Sequence, residues 1–323
     1  MGGNIKFTNR HMIVSEGGNV FKDIHSEPIN KEDIRPTLKE FFRELSKIFP
    51  KASKHFGDVK TLGSVGKKSV SGDIDLALDE NALKNLEDWN VDKTEVDNLY
   101  KTFKKKSRTA TDAMIVKRAV IHLIAKQIEE KSNLINVDTK QAGQGTLFTQ
   151  FPQFNSKGEK LDRYVQIDVN VGNVPWLLFS YYSDAYPEGS NVKGLHRTQL
   201  IVHLFTNKGY TFNHGNGVKI KSTGEVVANT PEEAIQVLNK AYGFNLDRET
   251  LNNYYKLQDY LKDHIQQDEL NHIYDIYLKT LDSTRCDIPN DLQNYWLDNQ
   301  QRLGLTGKFL PSSSKLYPFR NLD

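Results

Sequence analysis

The chain has 323 residues, with 43 Lys and Arg against 41 Asp and Glu and a formal charge of +2, a balance that excludes a histone-like polycation and an acidic tail protein. Its 37% hydrophobic content includes 16 Phe, 14 Tyr and 3 Trp, enough for a real core, and its length suits two domains or one core with appended elements, because single cores seldom pass about 250–300 residues. The one cysteine, Cys286, excludes an internal disulfide framework and a cysteine-based zinc site and points to a reducing, intracellular setting.

No stretch approaches the roughly 20 apolar residues of a membrane-spanning helix, and residues 1–15 hold no apolar signal run. Lys6 stands where an N-myristoylation motif wants Ser or Thr. The expectation is a soluble, cytoplasmic protein with no membrane partner. Residues 4–22 alternate loosely around Gly17-Gly18, as a short hairpin or an irregular arm. A first helix is predicted over 30–49: Asn30 suits the N-cap, and Ile34, Leu38, Phe41, Leu45 and Phe49 fall on one face before Pro50 breaks it.

Residues 59–62 read as a strand running into Gly63-Ser64, and 74–78 as a second, with a short turn or helical segment between them. The pattern over 92–131 is helical, with a basic block at Lys101, Lys104, Lys105, Lys106 and Arg108 before a more apolar stretch through Ile115, Ile121, Ile124 and Ile128. Residues 146–154 and 163–171 flank Asn155-Ser156-Lys157-Gly158 as a hairpin. Residues 174–183 are predicted helical, and Gly189-Ser190 opens a helix that ends at Gly209. Short strands follow over 210–213 and 218–221, with Thr223-Gly224 as a turn. Thr230-Pro231-Glu232-Glu233 is a helix start, with Thr230 as cap, Pro231 in the first turn and two acids favouring the helix dipole. Residues 246–303 read as helical, with Tyr254, Tyr255, Leu257, Leu261, Ile265, Leu270, Ile273 and Ile276 as core candidates, and the last twenty residues read as an irregular tail.

The chemistry concentrates in Leu62-Gly63-Ser64-Val65-Gly66-Lys67-Lys68-Ser69-Val70-Ser71-Gly72-Asp73-Ile74-Asp75-Leu76. Gly-Ser at the start of a helix leaves backbone N–H groups and a hydroxyl aimed at whatever sits there, which suits a phosphate, and Lys67 and Lys68 add positive charge. Asp73 and Asp75 alternate on a strand, so both carboxylates face one way and suit a hard divalent cation, most simply Mg²⁺. Asp168 is a lone acid in the run Tyr164-Val165-Gln166-Ile167-Asp168-Val169-Asn170-Val171, where a carboxylate is costly unless a cation or a donor satisfies it. A Walker A loop is excluded, because Thr61 stands where its first glycine belongs and Lys68 where Ser or Thr should follow Gly66-Lys67. Taken alone, Asp73-Ile74-Asp75 is a common surface tripeptide, and the alternative for Asp168 is a partnered buried acid. The basic block, interleaved with Tyr100 and Phe103, reads either as a track for a nucleic-acid backbone with stacking rings or as a solvated helix face.

Gly63-Ser64, a spacer of eight residues and Ser71-Gly72-Asp73-Ile74-Asp75 resemble the signature of the DNA polymerase beta nucleotidyltransferase superfamily. A second segment, from Tyr186-Pro187-Glu188-Gly189-Ser190 through Leu195-His196-Arg197 to Thr230-Pro231-Glu232-Glu233, is similar to the small C-terminal subdomain of family X DNA polymerases, with Pro187 in place of the family Phe and Gln166 where these enzymes commonly place Arg. The resemblance implies an α+β fold: a polymerase-beta-like palm over 56–185, with a mixed or antiparallel sheet, helices on one side and a basic helical insertion near 81–137. It further implies a small α/β subdomain over 186–245, between an N-terminal arm and helix over 1–55 and a helical region over 246–323. It implies Asp73, Asp75 and Asp168 as catalytic metal ligands for two Mg²⁺ ions, with Mn²⁺ as a substitute. Gly63, Ser64, Lys67, Lys68, Tyr186, Gly189, Ser190 and Arg197 become nucleotide-binding residues. The implied activity is transfer of a nucleoside monophosphate from an NTP or dNTP to a hydroxyl, favouring the 3′-OH of a DNA or RNA end. The competing readings are transfer to a protein, tRNA or small-molecule hydroxyl, and a catalytically silent nucleic-acid-binding module.

Overall fold

Among the described residues the chain builds two large hydrophobic clusters in sequence order and a small third one. The computed structural model describes residues 21, 25–107, 110–142, 145–184, 186, 190, 192–283, 288–299, 301 and 303. The arm expected over 4–22 falls outside these apart from Phe21, and Arg108, Gly189, Cys286 and the tail after residue 303 also lie outside them. The first part comprises β1 (Ile29–Asn30), α1 (Lys31–Ile48), a 3-10 stretch (Pro50–Asp58), β2 (Lys60–Thr61), β3 (Val70–Ser71), β4 (Ile74–Asp79), α2 (Lys93–Lys106), α3 (Asp112–Lys131), β5 (Asn136–Val137), β6 (Thr146–Phe154) and β7 (Lys160–Gly172). The second comprises α4 (Val174–Ser180), α5 (Gly194–Asn207), β8 (Tyr210–Asn213), β9 (Gly217–Ile220), β10 (Val226–Ala228), α6 (Pro231–Tyr242), α7 (Arg248–Asn252), α8 (Tyr254–His264), α9 (Gln267–Ser283) and α10 (Asn290–Asp298).

A five-stranded sheet in the order β2-β4-β7-β6-β5 organises the first part. β4 and β7 run parallel and the other neighbours antiparallel, so the sheet is mixed and the α+β class holds. A parallel pair needs a crossover, and α2 and α3 lie within the connection from β4 to β7. Period-two alternation sends Ile74, Leu76, Leu78, Val165, Ile167, Val169, Leu147 and Phe151 to one face, where α1 and α3 cover them with Phe41, Leu45, Ile121 and Ile124. Phe41 meets Phe151 edge-on at 5.5 Å. The boundary expected at residue 55 falls inside this cluster, because α1 and the sheet share it.

The opposite face carries the polar residues of the same strands. Helices do not lie on one side only: α4 reaches this second face, where Leu177 packs on Ala77 and Leu62. The second cluster joins α4 to the later helices and to the three-stranded sheet β10-β9-β8, with Trp176, Leu204, Leu238, Leu257, Tyr274 and Trp296 buried in it.

Several local expectations shift. The helical pattern over 92–131 is two helices, and Thr111 caps the second by accepting from the Met114 N–H at 3.3 Å. Asn30 occupies the N-cap position of α1 without capping it; its backbone is taken into the β1–β3 ladder and its amide donates to Asp33 Oδ2 at 3.4 Å. The helix expected from Gly189-Ser190 starts at Gly194. No helix among the described residues is long and apolar enough to cross a membrane.

Candidate functional site

The parallel register of β4 on β7 sets Asp75 directly beside Asp168. Residues paired across a sheet share a face, so the two carboxylates project together from the side opposite α1 and α3, and Asp73 lies in the bend just before β4, near enough to Asp168 for their charges to interact. Amides flank them. Gln166 Nε2 donates to both oxygens of Asp168, at 3.1 and 3.0 Å. Asn170 Nδ2 donates to Asp75 Oδ1 at 3.4 Å, while its own oxygen accepts from Thr146 Oγ1 at 3.2 Å. Gln166 therefore supports Asp168 with a neutral donor.

Electrostatics follow from this placement. Asp168 is 9% exposed, and burial pushes its carboxyl up to about 7 despite the opposing Gln166 hydrogen bonds, with Asp73 adding to the rise. Burial also raises Asp73, against the attraction of the Lys193 ammonium. Among the described residues, no three His, Cys, Asp or Glu side chains form a group that could hold a metal ion, so the aspartates share a face without being drawn into one cage. Their donor chemistry still suits a hard cation: all-oxygen ligands, two of them raised by burial and therefore favoured by any positive charge brought beside them.

The Gly-Ser segment is a turn and not a helix start. Gly63 and Gly66 take φ of +60° and +73°, the left-handed region that glycine enters without steric cost. Lys67 N–H closes back on Ser64 O at 3.0 Å, and Val65 N–H on Leu62 O at 3.3 Å. Among the described residues, the N–H groups of Gly63, Ser64 and Gly66 make no hydrogen bond within the protein. Lys67 and Lys68 reach across to the second cluster: Lys67 Nζ donates to Ser183 O at 2.5 Å and stands 4.6 Å from the Tyr182 ring, and Lys68 Nζ donates to Val192 O at 3.3 Å and Ser190 O at 3.4 Å.

The expected nucleotide contacts of the second segment separate. Ser190 Oγ donates to Asp291 Oδ2 at 2.6 Å. The Tyr186 hydroxyl is buried and, among the described residues, has no hydrogen-bond partner; burial, reinforced by Asp184, raises its pKa. Arg197 differs most from expectation. It is 1% exposed, and its guanidinium is spent on Leu251 O (2.8 Å), Phe179 O (3.0 Å) and Asn252 Oδ1 (3.0 Å). Burial pulls its pKa down to about 10, so it stays charged at neutral pH. It ties α4, α5 and α7 together and does not face an open site.

In the basic block Lys104 pairs with Asp112 at 2.5 Å, and Phe103 packs on the first cluster, edge-on to His122. Phe103 is thus withdrawn from base stacking. Lys101, Lys105 and Lys106 remain exposed at the end of α2.

Sequence reasoning passed over Asn170, Thr146 and Lys193. A signal existed for the first two, since both fall in the same period-two phase as Asp168 or its cross-strand partners. Neither a family model nor a curated protein matches this chain.

Proposed function

We propose that this chain is a divalent-metal-dependent nucleotidyltransferase with a polymerase-beta-like palm, transferring a nucleoside monophosphate from an NTP or dNTP to a hydroxyl, with a nucleic-acid 3′-OH as the favoured acceptor. One observation carries this reading: Asp75 and Asp168 are direct partners on parallel strands, on the polar face of a sheet whose other face is core, with Asp73 in the bend just before β4. The turn that precedes β4 offers the N–H groups of Gly63, Ser64 and Gly66, unpartnered among the described residues and suited as a set of donors to phosphate oxygens. Lys67, Lys68 and Lys193 make the surroundings positive, which favours a polyphosphate.

Asp73, Asp75 and Asp168 are the residues that would hold Mg²⁺ or Mn²⁺. Such ions supply neutralisation of phosphate charge and Lewis-acid activation of a hydroxyl. The chain's own part is orientation. Gln166 and Asn170 fix the rotation of Asp168 and Asp75, and the turn donors hold the triphosphate so that the acceptor oxygen bonds to the α-phosphorus as pyrophosphate leaves.

The test incubates the purified protein with Mg²⁺, each labelled NTP and dNTP, and an oligonucleotide with and without its complement. Mass-resolved products should show added nucleotide, and Asp73→Asn and Asp168→Asn should each reduce transfer to background while the melting temperature is kept. Transfer surviving in Asp168→Asn would remove the site assignment.

A further inference from the structure

A groove of about 570 Å³ lies between α1 and the turn after β2, floored by Ile34 and Leu38 and edged by Lys31, Arg35, Lys39 and Gly66. The three cations are four residues apart, so they form one stripe with steps of about 6 Å along the helix axis. All three are exposed, and among the described residues none makes an ion pair or a side-chain hydrogen bond. The next cations along the same helix behave differently: Arg43 pairs with Glu40, and Lys47 with Glu44. An unneutralised row confined to the groove, on a helix that elsewhere supplies its own acids, marks the place where an outside anion is expected.

The groove is held open by backbone. Lys31 N–H donates to Ser69 O at 2.8 Å, and β1 pairs with β3, so the start of α1 is fixed against the turn segment. The far wall belongs to the turn that carries Gly63-Ser64, and Gly66 presents an unpartnered N–H there.

We propose that this groove binds a single-stranded nucleic acid, its phosphates along Lys31, Arg35 and Lys39 and its bases against Ile34 and Leu38. The regular spacing of the cations suits the regular spacing of backbone phosphates. The apolar floor calls for exposed base faces, which a duplex hides within its stack and an acidic peptide lacks. Naming this strand as the acceptor rests on the transfer reading; its binding does not.

The experiment measures fluorescence anisotropy of labelled oligothymidylate and oligouridylate with the full chain in EDTA and without nucleotide, between about 50 and 200 mM salt. The variant K31Q/R35Q/K39Q, whose changes are exposed and keep good helix formers, should bind at least about tenfold more weakly, and the slope of log Kd against log salt should flatten by about 2, the value for three lost phosphate contacts on a single strand. Circular dichroism and melting should match the parent. Binding by this variant equal to the parent overturns the proposal, as does loss confined to the comparison variant K101Q/K105Q/K106Q, which would move the strand to α2. Equally tight binding of polyglutamate by the parent would overturn the choice of nucleic acid. Failure of the transfer reading has a separate signature, no nucleotide added by the parent protein with Mg²⁺, and leaves these binding curves unchanged.

Discussion

Arg197 shows how one residue type in the right motif can take a different role once the chain is folded. Its place after Leu195-His196 invites a nucleotide contact, yet its three guanidinium hydrogen bonds go to carbonyl or amide oxygens of α4 and α7, and Phe179 and Tyr182 lie against its charged plane at 5.1 and 5.4 Å. A guanidinium satisfies three separated acceptors at once, and an ammonium does not. Arg197→Met should therefore lower the unfolding free energy by about 3 kcal/mol, the order expected when buried acceptors lose their donor. Arg197→Lys should recover less than half of that. Urea denaturation reads both, and an unchanged midpoint in Arg197→Met would refute the structural role. The aspartates present the reverse case. Asp73, Asp75 and Asp168 were legible as acids in apolar strands, but the one-to-one register of Asp75 with Asp168 joins positions far apart in the chain and depends on which strands pair.

At the scale of elements, local signals succeed where the deciding partners are close in sequence. Thr230 accepts from Glu233 N–H at 3.3 Å while the Glu233 carboxylate accepts from the Thr230 and Asn229 N–H groups, a complete capping box written in four consecutive residues. Those hydrogen bonds also hold the Glu233 carboxyl below its ordinary range. Thr230→Ala should cost about 1 kcal/mol, measured as a drop in thermal stability, and Thr230→Ser should recover most of it. Asn30 carries an equally good cap residue and does not cap, because pairing of β1 with β3 claims its backbone and Asp33 receives its amide. The basic block of α2 was legible as a helix with a charged face, but the withdrawal of Phe103 into the core follows from the packing of α2 on α3 and was not.

At the scale of the whole molecule, the turn at 63–67 belongs to the first cluster while its lysines grip the backbone of the second, at Ser183, Ser190 and Val192. Charge-assisted bonds of this kind contribute about 1.5–3 kcal/mol each where water is excluded and less where it is not. The double variant Lys67→Met with Lys68→Met should loosen this link, seen as faster amide hydrogen exchange at Val192–Leu195 with exchange in β7 unchanged. Uniform exchange across both regions would mean that the lysines do not couple them. The sequence by itself determined the helix and strand phases, the capping of α6 and the positions of the three acids, because each depends on neighbours within a few positions. Only the tertiary structure decided that Asp75 faces Asp168, that Gln166 and Asn170 support them, that Arg197 is a strut, and that Lys31, Arg35 and Lys39, unpaired among the described residues, stand along a groove beside the glycine turn. Those outcomes depend on strand order, burial and the competition of distant groups for the same hydrogen bonds, none of which has a period along the chain.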